Sequence, residues 1–147
     1  MEDRAVVAAE IEKLTEQRLF DSAWVVAREA GIDFFDCANV YPEGDSERIL
    51  GELVAHERDE IVLASKVYFP FGTGPRSRGY SRAAILHQVE GTLTRLKTDY
   101  LDLYQIHWPS REVPREETWR AMERLRDMPL ERIHSRKLRS FDETAFL

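Results

Sequence analysis

Four side chains of this 147-residue sequence have types and positions that could together move a proton: Asp36, Tyr41, Lys66 and His107. A tyrosine phenol titrates near ~10, so it is a weak acid at neutral pH unless a cation stabilises its phenolate. Lys66 would supply that cation, Asp36 would hold it in place, and His107 would donate a hydrogen bond to a substrate oxygen or extend the relay. Such a site would protonate a carbonyl oxygen while a hydride reaches its carbon. Because none of the four side chains carries redox chemistry, a cofactor would have to bring the hydride.

Three predicted strands position these side chains, and they cover residues 32–35, 61–67 and 100–108. The first is an apolar run that suits a strand buried on both faces, and Asp36 follows it directly. Lys66 and His107 lie near the ends of the other two strands. Since α/β proteins place their chemistry at the carboxyl ends of parallel strands, we expect these side chains to converge there.

Helices are predicted around the strands by apolar residues at three- and four-residue spacing. They cover residues 1–30 and 47–55, a segment capped by Ser81, and a segment that begins at Pro114. We expect Gly31 to end the first helix, and Asp45 or Ser46 to cap the second. Because strand and helix alternate at the spacing of βα units, the strands should be parallel and joined by right-handed crossovers. The predicted fold class is α/β. The apolar stripe of the third helix is predicted as Ile85, Val89, Leu93 and Leu96.

Composition and charge narrow the class of protein. A net charge of -6 argues against nucleic acid and anionic membrane surfaces as partners. Cys37 is the single cysteine, which excludes a disulfide framework and a thiolate-rich zinc site and predicts a small buried residue. No apolar run approaches the ~20 residues of a membrane span, and the acidic, helix-like amino terminus is unlike a signal peptide. We therefore expect a cytoplasmic protein.

Three stretches of the sequence together resemble the aldo-keto reductases. They are GIDFFDCANVYPEGDSERILGELV, DEIVLASKVYFPFG and GYSRAAILHQVEGTLTRLKTDYLDLYQIHWP. The likeness is greatest to the branch that includes the potassium-channel beta-subunit-like reductases, and it covers roughly residues 15–126. It includes the order and spacing of the four polar side chains, each at a predicted strand end.

The resemblance implies a (β/α)8 barrel, an NADPH cofactor and reduction of the carbonyl group of a small aldehyde or ketone. It assigns Tyr41 as general acid, with Lys66 and Asp36 tuning it and His107 orienting the carbonyl. Asp36 is also assigned to the cofactor site. Trp108 becomes a candidate wall of the substrate pocket, and a hydrophobic plug at the strand end is the alternative.

The sequence also departs from the resemblance. A barrel of this kind needs about 250 residues, and this chain supplies about three of its eight strands. We expect residues 1–127 to form a partial barrel without the first strand, and residues 128–147 an irregular tail. The strands that would bind the nicotinamide amide and the adenosine phosphate are missing. The open sheet edges predict marginal stability and self-association.

Three hypotheses about function therefore stay open. The first is an NADPH-dependent carbonyl reductase, and the second is a catalytically inactive truncated fragment or an interaction subunit that keeps the family's residues. The third is a metal hydrolase, for which Asp36 and His107 are too few ligands to form a zinc site, so no metal is expected.

Overall fold

The structure is a computed structural model that describes residues 4–108 and 112–127. The described chain divides into two compact units, Met1–Asp33 and Phe34–Leu147. The predicted tail, residues 128–147, lies outside the described residues, so its boundary stays a prediction.

The first unit consists of helix α1, Arg4–Glu29. Gly31 ends it as expected, with a φ of 78° that favours glycine. The amide of Gly31 donates to the carbonyl of Arg28, and the amide of Ile32 donates to the carbonyl of Ala27 at 3.0 Å. This pair of bonds is a Schellman motif, in which the chain leaves the helix with its last carbonyls satisfied.

The second unit alternates strands and helices, as the sequence predicted. The elements are β1 Phe34–Asp36, α2 Asp45–Val54, a 3-10 turn Arg58–Glu60, β2 Val62–Val67, α3 Arg82–Arg95, β3 Leu103–Ile106 and α4 Arg115–Asp127. The strands form one parallel sheet in the order β1-β2-β3. The predicted α/β fold with parallel strands is therefore confirmed.

One face of the sheet carries the core of this unit. Leu63, Val67 and Tyr104 are fully buried on that face. Helix α3 contacts β2, α2 and α4. Its predicted stripe is buried, and Ser81 caps it by accepting a hydrogen bond from the amide of Ala84 at 3.2 Å. These contacts with three neighbouring elements fix the position of α3 relative to the sheet.

The opposite face of the sheet is open, and here one prediction is wrong. The register pairs Phe34 with Val62, and both are exposed, Phe34 by 48%. A strand is buried on both faces only when a layer covers each, and β1 is also an edge strand. The strand starts later than predicted because the amide of Ile32 is already used at the end of α1.

The predicted cap of α2 is also wrong. Gly44 occupies the cap position with a φ of 86°, and no side chain caps the helix. A Cβ at residue 44 would lie 2.9 Å from side-chain atoms of Phe71 and Arg95. The close approach of these side chains therefore requires glycine there, which local capping preferences do not reveal.

Among the described residues, none of the helices has the length and hydropathy needed to cross a membrane. The cytoplasmic location stays a prediction.

Candidate active site

The carboxyl ends of the strands bring three of the four predicted side chains together on the open face of the sheet. Asp36 pairs in register with Ala64, and Lys66 pairs with Gln105. Because side chains alternate along a strand, Asp36, Lys66 and His107 fall on the same face. His107 follows β3 directly, and its amide donates to the carbonyl of Val67 at 3.0 Å.

The Lys66 ammonium is fixed by two acceptors. Its Nζ forms an ion pair with Oδ2 of Asp36 and donates to the carbonyl oxygen of Cys37 at 3.0 Å. The Lys66 side chain is only 14% exposed, whereas that of Asp36 is 41% exposed. The cation is therefore held in a partly covered position with solvent on the side of its carboxylate.

Tyr41 reaches this edge from the loop after β1. Its hydroxyl oxygen lies 3.2 Å from Nε2 of His107, and the two rings meet edge to face with centroids 5.5 Å apart. Nζ of Lys66 lies 5.3 Å from the centroid of the Tyr41 ring. Tyr41 is 40% exposed, so a ligand can approach its ring from solvent. The four predicted side chains therefore form one cluster, the tetrad Asp36, Tyr41, Lys66 and His107.

His107 is half-buried, and its surroundings disfavour its charged form. Burial lowers its pKa below the ordinary value of 6.5, and the Lys66 ammonium lowers it further, against a smaller opposing effect of Asp36. Its Nδ1 is buried and has no hydrogen-bond partner among the described residues. The Phe69 ring and the imidazole pack nearly perpendicular to each other, with centroids 5.1 Å apart.

Cys37 lies beside the tetrad and has a structural role, as predicted. Its Sγ donates to the carbonyl oxygen of Ala64 at 3.2 Å, and the residue is buried. Burial, aided by the negative charge of Glu47, raises the pKa of the thiol to about 12. At neutral pH the group is therefore a thiol and not a nucleophilic thiolate.

Glu47 supports the central strand from the packed face, and sequence reasoning missed it. It is fully buried on α2, where its carboxylate accepts hydrogen bonds from Ser65 Oγ and Arg95 Nε, both at 2.6 Å. Ser65 immediately precedes Lys66, so this network fixes the backbone that carries the ammonium. An acidic residue in the first turn of a helix is ordinarily exposed to solvent, where it interacts favourably with the helix dipole. No feature of the local sequence indicates that Glu47 is buried.

Tyr80 and Phe69 are two further residues at the site that the tetrad pattern did not include. Tyr80 is buried, and its hydroxyl donates to the carbonyl oxygen of Trp108 and accepts from the Trp108 amide at 2.7 Å. Trp108 itself is 59% exposed next to His107.

Among the described residues, no group of three or more potential ligands is placed to hold a metal ion.

Three parallel strands alternate with helices, and the polar side chains gather at the carboxyl ends of the strands, where α/β proteins place their functional sites. The model of the Aldo/keto reductase family matches residues 11–128. The chain belongs to the aldo/keto reductase family.

Individual proteins give the same result. The chain is 42% identical over 103 residues to Aldo-keto reductase YhdN of Bacillus subtilis (strain 168), covering 69% of this chain and 31% of that protein. It is 40% identical over 98 residues to a probable voltage-gated potassium channel subunit beta of Oryza sativa subsp. japonica, covering 65% and 30%. The solved structure of aldo-keto reductase AKR11C1 from Bacillus halodurans (holo form) matches with a TM-score of 0.65 at 35% identity, covering 76% of this chain and 37% of that one.

These comparisons confirm the resemblance drawn from the sequence and the partial TIM-barrel fold. The chain spans about a third of the length of these curated relatives, 31% and 30%.

Proposed function

We propose that this chain carries the proton-donating groups of a carbonyl-reducing site, which would act in the NADPH-dependent reduction of aldehydes and ketones. The observation that supports this most directly is the 3.2 Å approach of the Tyr41 hydroxyl to His107 Nε2, beside an ammonium fixed by Asp36. Tyrosine, histidine and a fixed cation within reach of one substrate oxygen suit protonation of a carbonyl.

The reaction assigns one role to each member of the tetrad. Tyr41 gives its hydroxyl proton to the carbonyl oxygen, so an O–H bond forms there and a phenolate is left. Lys66 stabilises that phenolate, and Asp36 keeps the ammonium in place. When bound, NADPH supplies the hydride that forms the new C–H bond. Solvent returns a proton to Tyr41, so the net change is one hydride and one proton added to the carbonyl.

His107 would act as a neutral hydrogen-bond donor. Its lowered pKa keeps it uncharged at neutral pH. Because Nδ1 is buried without a partner, a proton there would be an unsatisfied donor, which proteins rarely tolerate. We therefore place the single proton on Nε2, the nitrogen that faces Tyr41. That N–H and the Tyr41 hydroxyl would both reach one carbonyl oxygen.

Trp108 would form a wall of the substrate pocket. A hydrophobic plug at the end of β3 would be buried, whereas Trp108 is 59% exposed beside the imidazole. An exposed indole next to the reacting groups suits a small carbonyl compound with an apolar flank.

The described residues fit the reacting end of the cofactor only in part. Asp36 is the proposed contact of this chain with the cofactor, since its carboxylate lies at the open edge of the sheet, 41% exposed. Within the tetrad the single cation is Lys66, and it is paired with Asp36, so it is not free for a phosphate.

The test is a thermal melt of the chain with and without saturating NADPH, followed by NADPH oxidation with an aromatic aldehyde. A ligand that binds the folded state raises the midpoint of the melt. A midpoint that rises, together with aldehyde-dependent NADPH oxidation, supports the proposal. A cooperative melt that NADPH does not move, without turnover, contradicts it.

A second proposal is an inactive truncated fragment or an interaction subunit that retains the tetrad. The chain's coverage of about a third of its relatives, some of them named potassium channel beta subunits, is the observation behind it. Turnover by the purified chain would contradict this second proposal.

A further inference from the structure

The Tyr80 side chain hydrogen-bonds to the backbone of the residue immediately after His107. It is 2% exposed, and its ring packs on that of Tyr68 with centroids 4.8 Å apart. Its hydroxyl meets both backbone polar groups of Trp108, donating to the carbonyl oxygen and accepting from the amide nitrogen at 2.7 Å. One hydroxyl therefore bonds both the backbone donor and the backbone acceptor of a single residue.

This contact begins where the sheet ends. Among the residues that the structure describes, the last hydrogen bond that extends β3 runs from the His107 amide to the carbonyl of Val67. Beyond that point, the Tyr80 hydroxyl bonds both backbone polar groups of Trp108, so it fixes the backbone on the carboxyl side of His107.

The loop of residues 68–81 between β2 and α3, which carries Tyr80, also contacts the imidazole. The Phe69 ring packs nearly perpendicular to that of His107, and the Tyr68 ring packs against Phe69, both at 5.1 Å between centroids. Tyr80, Tyr68 and Phe69 thus form a continuous aromatic chain that ends on the His107 ring. The loop therefore makes two contacts with this part of the chain, one with the His107 ring and one with the backbone of Trp108.

The backbone that carries the Tyr80 side chain is also held in place by its neighbours. The amide of Gly79 donates to the carbonyl of Tyr68 at 2.8 Å, and the next residue after Tyr80 is Ser81, the cap of α3. Burial raises the pKa of Tyr80 above its ordinary range. The group therefore stays a hydroxyl that can both donate and accept.

We infer that Tyr80 is a positioning residue, whose hydroxyl sets the position of the His107 imidazole against Tyr41 by holding both backbone groups of Trp108. The catalytic meaning of this contact rests on the proposed function, whereas the contact itself can be tested without cofactor or substrate.

The experiment is NMR on the full chain, comparing Tyr80→Phe with Tyr68→Phe. The first variant removes the hydroxyl and keeps the ring. The second is the matched control, since it removes a neighbouring hydroxyl from the same aromatic chain and leaves the Tyr80 hydroxyl in place. In Tyr80→Phe we expect the Trp108 amide to exchange with solvent about tenfold faster, and the side-chain nitrogen signals of His107 to shift. Tyr68→Phe should change neither by a comparable amount.

Two results would overturn the inference. One is an unchanged exchange rate at Trp108, and the other is faster exchange at Trp108 with unchanged His107 signals. If Tyr80→Phe does not fold, the unmodified chain still decides, because a Trp108 amide that exchanges as fast as an unprotected one excludes the contact. None of these measurements needs turnover, so their failure is distinguishable from a failure of the proposed reductase activity.

Discussion

The hydroxyl oxygen of Tyr41 lies 3.2 Å from Nε2 of His107, although 66 residues separate the two in the chain. Tyr41 comes from the loop after the edge strand β1, and His107 follows β3, the edge strand at the opposite end of the strand order. The central strand β2 lies between them and supplies Lys66. The parallel sheet therefore assembles the site from three successive βα units, each of which contributes one part.

Replacing Tyr41 by phenylalanine should abolish proton transfer and leave the fold intact. The ring can keep its edge contact with His107, but the proton donor is gone, so any reduction of an aldehyde should slow by about 10²- to 10⁴-fold. Stability should change by no more than about 0.5 kcal/mol, because Tyr41 is substantially exposed. NADPH oxidation and a urea melt of each variant measure the two effects. A Tyr41→Phe rate equal to that of the unchanged chain would contradict the role of Tyr41 as proton donor. The control is Tyr100→Phe, which loses a tyrosine hydroxyl just before β3.

Lys66→Met should separate the role of the ammonium from general effects of lost charge. Without a cation near the developing phenolate, we expect a rate lower by about 10²- to 10³-fold. Lys97→Met is the matched control, since Lys97 also forms an ion pair, with Glu52, but is 56% exposed at the surface. Steady-state turnover of both variants decides the point. Equal losses in the two would mean that Lys66 acts only through stability.

The lowered pKa of His107 predicts a segment of pH-dependent stability. The unfolded imidazole takes up a proton near the ordinary value of 6.5, and the folded one does so at lower pH. The unfolded state therefore binds more protons in between, so this contribution is complete above 6.5 and is lost as pH falls through the folded pKa. Urea melts at a series of pH values should show this loss in the native chain and a flatter profile in His107→Gln. His87→Gln, on the exposed surface of α3, should keep the native profile, and a native profile in His107→Gln would contradict the prediction.

Glu47→Ala should be among the most damaging single changes in the chain. It leaves the Arg95 guanidinium, which is 12% exposed, without its carboxylate, and Ser65 Oγ without its acceptor. Removing one partner of a buried ion pair costs about 3 to 5 kcal/mol. Glu52→Ala on the same helix breaks an exposed pair and should cost less than about 1 kcal/mol. Urea unfolding of both variants measures the difference, and similar midpoints would show that the buried network is not stabilising.

The sequence predicted the parts of the fold that depend on local pattern. Periodicity predicted the buried stripe of α3, and side-chain chemistry predicted the cap at Ser81 and the end of α1 at Gly31. The lengths of the elements predicted parallel strands. The structure confirms all four predictions. The convergence of the tetrad followed from the rule that strand ends share an edge.

The errors arose where distant residues decide the local structure. Gly44 replaces the expected polar cap because Phe71 and Arg95 approach it from elsewhere in the chain. Glu47 is buried only because Arg95 lies on the next helix, and the two contacts of Tyr80 depend on where β3 ends. No window of local sequence contains these partners, so composition and periodicity could not predict them.

The open face and the edges of the sheet predict self-association of the chain in solution. In the part that the structure describes, β1 and β3 are edge strands, and edges with unpaired backbone groups favour pairing between molecules. Phe34 adds an aromatic ring, 48% exposed, on the open face of the edge strand β1. Size-exclusion chromatography with light scattering should therefore show a mass that rises with concentration.

Phe34→Lys should weaken this association, because a charge on an edge strand opposes pairing between sheets. Leu19→Lys, at an exposed apolar position of α1, is the matched control and should leave the association as it is. A compact monomer at high concentration would contradict the prediction outright. Association that Leu19→Lys removes and Phe34→Lys leaves intact would place the contact on α1 instead of the sheet.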